Sequence, residues 1–316
     1  MADEGNPKSI SLNPAQENVL AQLGAKPDER PEFSADIQRS FRQSLEESTH
    51  DFLEDIPANE TLFVSKHQLT QIMGCEKRYV AESEEKFEWS IPTARGTLSH
   101  KAIELSVFWQ GPKDPFTLTN EALSRAGQGS DGLAAWIRGL SDGDHAQLCA
   151  DVNSKVGSFL ETWPPLEKRW KPMLETPIRV ELAGGKVVLS GKVDLTLGSS
   201  DGSVAGKVIV DFKTGRFSPS HRDDLRFYAL LDTVRIGIPP RLVASYYLDR
   251  GEFTPEKITV DVLESTVARI SDGITRLAEI RFQARVPTTQ AGPPCRWCLI
   301  SNDCETGQEY LADESF

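Results

Sequence analysis

Apolar residues recur along this chain with two different periods, and the change of period marks out its elements. Leu69, Ile72 and Met73 follow Ser65 at helical spacing, and Ser65 offers a side-chain oxygen for the first free N–H groups, so a helix is expected from there to about Cys75. Residues 96 to 109 repeat the pattern through Leu98, Ala102, Ile103 and Leu105, with His100 on another side and Glu104 one turn from it. After an opening rich in Gly, Pro and Ser come Leu133, Trp136, Ile137 and Leu140, then Val152, Val156, Phe159 and Leu160, which predict a small helical subdomain over 110 to 172. Its Trp136, Trp163 and Trp170 read as core rather than as platforms for bases, because no basic cluster interleaves them.

The period then shortens to two. Leu174 to Leu182, Lys186 to Leu197 and the apolar run Val208 to Val210 predict three sequential strands, joined by the tight turn Gly184-Gly185 and the cluster Gly198-Ser199-Ser200-Asp201-Gly202. A helix is expected from Ser218 through Leu231 and a further strand from Leu242 to Leu248. Leu263, Val267, Ile270, Ile274 and Leu277 alternate steps of four and three, the mark of a long amphipathic helix. Residues 1 to 60 are polar and acidic with no sustained period. They are expected to form a flexible arm in which Phe41, Leu45 and Phe52 make at most a short amphipathic patch.

Composition changes this picture little. A chain of 316 residues, 39% hydrophobic and 26% charged, can bury a sizeable core. The expected organisation is the acidic arm 1 to 60 and one domain over 61 to 316, containing the helical part 110 to 172, the sheet and its helix 173 to 250, and a cysteine-rich segment 286 to 306. No apolar run approaches the roughly 20 residues of a membrane span, and the acidic start has no basic and apolar leader, so a cytoplasmic protein is expected. Charge matters more. The net −12 is concentrated in residues 1 to 60, with 5 Lys/Arg against 13 Asp/Glu, whereas residues 171 to 250 hold 12 against 9. A phosphate-backbone partner thus remains compatible with the strand region.

Candidate chemistry gathers in that region. Asp211 and Lys213 are two apart at the end of the Val208 strand and share a face, and the hairpin can set Asp194 opposite Asp211. Two converging carboxylates and a lysine suit metal-assisted phosphodiester hydrolysis, with hard oxygen ligands for a divalent cation and a positive charge near the phosphate. Loss of either acid should relieve repulsion and leave stability unchanged or raised. Four of the five cysteines form a second pattern, Cys75 and then Cys295-x2-Cys298-x5-Cys304, while Cys149 stands apart. In a reducing compartment this spacing argues for metal, either a four-thiolate zinc or an iron-sulfur centre.

The ordered set resembles the PD-(D/E)XK nuclease superfamily, in which an Asp on one strand is followed by an acidic-x-Lys signature on the next, here Asp194 and Asp211-Phe212-Lys213. It is more specifically similar to the RecB-like branch, through the run Val210 to Gly215 and through Gly96-x-x-x-His100. The resemblance implies an α/β restriction-endonuclease-like core, a mixed central sheet flanked by helices, with a helical insertion. It implies a metal-dependent DNA nuclease, an exonuclease on single strands or ends, in repair, recombination, phage replication or CRISPR-type defence. The alternative is a catalytically silent DNA-binding or scaffold subunit of a helicase-nuclease or adaptation complex, and RNA as substrate stays open. By the resemblance His100, Asp194, Asp211 and the Phe212 carbonyl would hold Mg2+ or Mn2+, and Lys213 would orient water and stabilise the phosphorane. Glu175 is either an auxiliary ligand or an ordinary ion-pair partner. The family's usual Gln four residues before the helix tyrosine is Asp224 here, while Tyr228 and Arg226 remain candidate DNA contacts. The cysteine pattern is similar to iron-sulfur nucleases related to AddB and to the CRISPR-associated exonucleases, which implies a 4Fe-4S cluster on Cys75, Cys295, Cys298 and Cys304 that ties the first helix to the tail. With no G-x-x-x-x-G-K-[ST] loop in the sequence, unwinding would fall to a helicase partner; an integrase is the other partner the resemblance suggests.

Overall fold

A six-stranded mixed sheet organises the computed structural model, which describes residues 11 to 313. In chain order the elements are α1 (Pro14–Leu23), α2 (Ile37–Glu47), β1 (Leu62–Val64), α3 (Lys66–Gly74), α4 (Glu76–Glu84), α5 (Ile91–Phe108), α6 (Pro115–Gly127), α7 (Gly132–Arg138), α8 (Asp142–Thr162), β2 (Met173–Leu182), β3 (Val187–Leu197), β4 (Val208–Lys213), α9 (Ser220–Ile236), β5 (Leu242–Tyr247), β6 (Glu252–Lys257), α10 (Val260–Phe282) and α11 (Glu305–Asp313). Local chemistry starts many of the helices. Ser65 and Gln68 close a reciprocal capping box at α3, and Asp114, Ser141 and Thr259 side chains accept the first free N–H groups of α6, α8 and α10.

Strand β3 is the hub. Along its whole length it pairs antiparallel with β2 on one edge. The other edge is shared: β1 pairs parallel with Val187 to Leu189, and β4 pairs antiparallel with Leu195 to Leu197. Residues 190 to 194 of that edge lie between the two partners, and here the sheet opens. Beyond β4 the order continues with β5, parallel, and β6, antiparallel. The alternation of β4 sends Ile209 to a core under α2, α9 and α10, and Val208, Val210 and Phe212 to a second core under α1 and α8. A third cluster joins α5 to α6, α7 and α8, so the helices of 110 to 172 pack on the helix that carries His100.

The acidic N-terminal segment corrects the expectation of a flexible arm. Val19 and Leu23 of α1, and Ile37, Phe41 and Leu45 of α2, are buried in the two main cores, together with Phe33, Phe52 and Ile56. The acids that dominate its composition lie on the outer faces, and two or three large apolar side chains per helix bury enough surface to order it, at about 1.5–3 kcal/mol each. Residues 1 to 10 of the expected arm lie outside the described residues.

Candidate active site

The opening in the sheet gathers the predicted groups. Asp194 reaches from β3 to accept the Phe212 N–H at 2.7 Å, so the side chain takes a backbone donor just where the β3–β4 pairing stops at Leu195 and Val210. Asp194 is 7% and Asp211 3% exposed. On the other edge of β3, the pairs flanking Glu175 set it opposite Asp194, and its φ of 48° is a strained left-handed conformation for a residue with a side chain. From α5, His100 Nδ1 comes within 3.3 Å of Asp194 Oδ1 and 3.7 Å of Glu175 Oε1. Gly96, one turn earlier, lets this helix run close to the loop after Lys213: a methyl group on it would stand 3.4 Å from Thr214 Oγ1. Lys192 forms an ion pair with Glu175 from outside.

Among the described residues, His100, Glu175 and Asp194 are the group whose ligand atoms lie within 4.8 Å of one another. A cation about 2.1 Å from each donor sets neighbouring donors about 3 Å and opposite ones about 4.2 Å apart, so a small contraction suffices, and carboxylate oxygen with imidazole nitrogen suits Mg2+ or Mn2+. Glu175 thus stands with His100 and Asp194. Asp211 is held otherwise. Its Oδ1 accepts from Lys66 at 2.9 Å and its Oδ2 pairs with Lys213 at 2.7 Å. Asp224 Oδ2 accepts from Lys213 at 3.1 Å and lies 3.7 Å from Lys66, so two lysines and two aspartates alternate. The Phe212 contact with Asp194 runs through its N–H, not the carbonyl.

The charges set one another. Burial raises the Asp194 carboxyl and the neighbouring Asp211 charge adds to this, while for Asp211 burial is outweighed by Lys66 and Lys213, which hold it below the ordinary carboxylate range. Burial opposes the His100 imidazolium, but Asp194 and then Glu175 outweigh it and push the group up to about 10. Lys66 is held above the usual lysine value, because Asp211, Tyr228 and Asp224 together outweigh its burial. Repulsion is therefore not the whole effect at Asp211, whose removal would leave Lys66 and Lys213 with Asp224 alone.

Sequence reasoning missed Lys66. Its one local signal is a cation at the first position of α3, where the helix dipole disfavours positive charge. Its position is tertiary: the parallel β1–β3 pairing delivers the start of α3 over the gap. Tyr228 is 3% exposed, with Lys66 Nζ 4.8 Å from its ring centroid, and its edge fills the space that a Cβ on Gly191 would occupy, at 2.7 Å. It is a packing and polarising group, not an open DNA contact. Arg226 forms a forked pair with Glu256, Nε to Oε2 at 2.9 Å, and stands outside the cluster.

The cysteines meet at a separate place. Cys75 lies between α3 and α4, and it lines a cavity of about 500 Å3 together with Cys295, Cys298 and Cys304 from the segment before α11. All are free thiols, as is Cys149, which packs in the helical subdomain. Among the described residues no three thiols approach within 4.8 Å, whereas zinc at about 2.3 Å from four sulfurs would hold them about 3.8 Å apart. Beside Cys75, the buried Glu76 accepts from Arg285 Nη1 and Nη2, both at 2.9 Å, and from the Thr288 N–H at 2.8 Å. Arg285 first, then Thr288, pull its carboxyl down to about 2 against the effect of burial.

No curated protein matches the chain significantly. Among solved structures, a candidate exonuclease from Eubacterium rectale is similar at 11% identity with a TM-score of 0.46, covering 81% of this chain and 91% of the other. SSO0001 is similar at 13% identity with a TM-score of 0.38, covering 85% and 97%. The family comparison reaches further, matching residues 64 to 305, from the end of β1 through the catalytic cluster to the last cysteine. On that match the chain belongs to the PD-(D/E)XK nuclease superfamily.

Proposed function

We propose that this protein is a divalent-metal-dependent DNA nuclease of the RecB-like kind, acting on single strands or ends, with His100, Glu175 and Asp194 as the side chains that hold Mg2+ or Mn2+. The observation that carries the reading is the closure of these three to within 4.8 Å, beside Asp211 and Lys213. A cation bound there supplies Lewis-acid charge for the water and the phosphate. The remaining work falls to the chain. Phe212 N–H fixes one oxygen of Asp194 and leaves Oδ1 facing His100. His100 must give up a proton before its nitrogen can ligate, so metal affinity rises with pH. Lys213, poised between Asp211 and Asp224, offers its ammonium to the phosphate oxygens as negative charge builds. Lys66 keeps Asp211 ionised and in place.

Asp224 supports a second reading, a silent DNA-binding subunit, because it engages the lysine that catalysis would need free. Cleavage of single-stranded, duplex and flap DNA with Mn2+, with EDTA and in Lys213→Ala separates the two. The nuclease reading expects cutting that EDTA abolishes and the variant lowers by about 10^3 or more. Binding without any cutting would establish the silent subunit. The same proposal includes a 4Fe-4S cluster on Cys75, Cys295, Cys298 and Cys304. Its support is that all four line one cavity. Anaerobically purified protein should be brown, with about four iron and four sulfide per chain. Colourless protein with one zinc refutes the cluster and leaves the nuclease reading standing.

A further inference from the structure

A second cavity, of about 270 Å3, lies where the end of α1, the segment after α8 and the turn end of the β3–β4 hairpin meet, and Leu23, Arg30, Trp163, Trp170, Gly206 and Arg241 line it. On β4 it touches Val208, three residues and about 10 Å from Asp211 along the strand. Val208 faces the α1 and α8 core, whereas Asp211 and Lys213 share the face of Ile209, so the cavity lies on the opposite face of β4 from those two groups. The lining residues carry three buried N–H donors with no acceptor, Arg30 Nε, Arg241 Nε and Trp163 Nε1. Among the described residues neither guanidinium has a carboxylate partner. Burial first, and then the charge of Arg30, hold Arg241 below the ordinary guanidinium value. Gly206 keeps the place open: a Cβ there would stand 3.3 Å from Arg30 Nη1 and collide with the Ser199 carbonyl oxygen.

Arg241 Nη2 donates to the Leu23 carbonyl oxygen, but the two Nε–H groups and the indole N–H are buried without an acceptor, and two neighbouring cations there are costly unless an oxyanion supplies them. The cavity would hold about nine waters at ~30 Å3 each, more than a small inorganic anion fills, and apart from Arg169, which pairs with Glu167, the remainder of its wall is largely aromatic and aliphatic. We propose that it is a binding site for a nucleoside 5′-phosphate, whose phosphate accepts from Arg30 and Arg241 and whose base lies against Trp170 and Leu23. The source is a free nucleotide or the 5′ end of a strand. With EDTA present, binding can be read without turnover. The full chain, in EDTA, is titrated with dAMP, inorganic phosphate, and a short oligonucleotide with and without a 5′-phosphate, following tryptophan fluorescence and calorimetry. The expectation is that dAMP quenches the fluorescence and binds more tightly than phosphate. Arg30→Met and Arg241→Met should each weaken it at least ~10-fold, about 1.4 kcal/mol, and Arg30→Met should melt at or above wild type without ligand. If a Met variant does not fold, the corresponding Lys variant, which keeps the charge but loses the fork, carries the same binding expectation. Preference for the 5′-phosphorylated strand over dAMP identifies a strand end, and the reverse a free nucleotide. Equal affinity for phosphate and dAMP overturns the nucleotide, and absence of binding by wild type, or binding indifferent to both arginines, overturns the site.

Discussion

At the catalytic cluster each buried charge faces an opposite one: Asp211 has Lys66 and Lys213, Asp224 has the same two lysines, and Asp194 and Glu175 have His100. At the cysteine cavity the four thiols are joined by no disulfide, and beside them Glu76 grips Arg285 and Thr288. Both places bring together parts of the chain far apart in sequence. The difference teaches that the first can stand without an ion, since the lysines already balance the acids, whereas the second would depend on the proposed cluster. Loss of a ligand should thus read out as lost chemistry at one and lost fold at the other.

The strongest test of that contrast is Cys75→Ser. A cross-link joining Cys75 to the tail closes a loop of more than 200 residues, which chain entropy values at about 5 kcal/mol. Thermal melting should fall steeply and iron should be lost; unchanged melting and colour would remove the cluster from the fold. Next, Asp211→Asn and Asp194→Asn should both abolish cleavage but part in stability. Asp211→Asn leaves Lys66 and Lys213 with Asp224 alone and should cost about 3 kcal/mol. Asp194→Asn relieves a carboxyl raised by burial and should melt at or above wild type in EDTA. Equal melting of the two would break the account of the paired cluster.

The latch comes third. Glu76→Gln should destabilise by about 2 kcal/mol at neutral pH, as expected for hydrogen bonds to a charged group. The folded carboxyl, at about 2, lies below its ordinary 4.5, so its contribution is complete above pH 4.5 and vanishes as pH falls through 2. The gap in melting temperature between wild type and variant should therefore narrow from pH 5 to pH 3; a constant gap would assign the effect to packing. The smallest effect belongs to Cys149→Ser. Cys149 packs at the margin of the helical subdomain, away from the cavity, and the change should stay within about 0.5 kcal/mol with iron content unaltered.

Much of the scaffold is legible in local pattern. Short apolar runs bounded by turn residues locate β3 and β4, and the four-three steps from Leu263 to Leu277 locate α10, because these signals are set within one element. Short or irregular elements escape such reasoning. β1 has three residues and β6 alternates weakly, and both are strands only because a neighbour supplies the ladder. In residues 14 to 56 the acidic composition masks the apolar stripe of α2, whose Ile37, Phe41 and Leu45 recur every four residues.

What the sequence determined by itself was the set of reactive groups and their near neighbours: Asp211 two residues from Lys213, Gly96 one turn from His100, and three cysteines within ten residues of the tail. These are short-range relations that backbone geometry makes binding. Only the tertiary structure decided that Glu175 rather than Asp211 closes with His100 and Asp194, and that Lys66 reaches Asp211 across 145 residues. It likewise decided that Tyr228 is packed away under that lysine, and that Arg30 and Arg241 share a cavity without an acid. Each of those outcomes depends on which edges of β3 are taken by β1, β2 and β4, and strand partners are chosen by burial of whole faces, a property no local stretch of the chain contains.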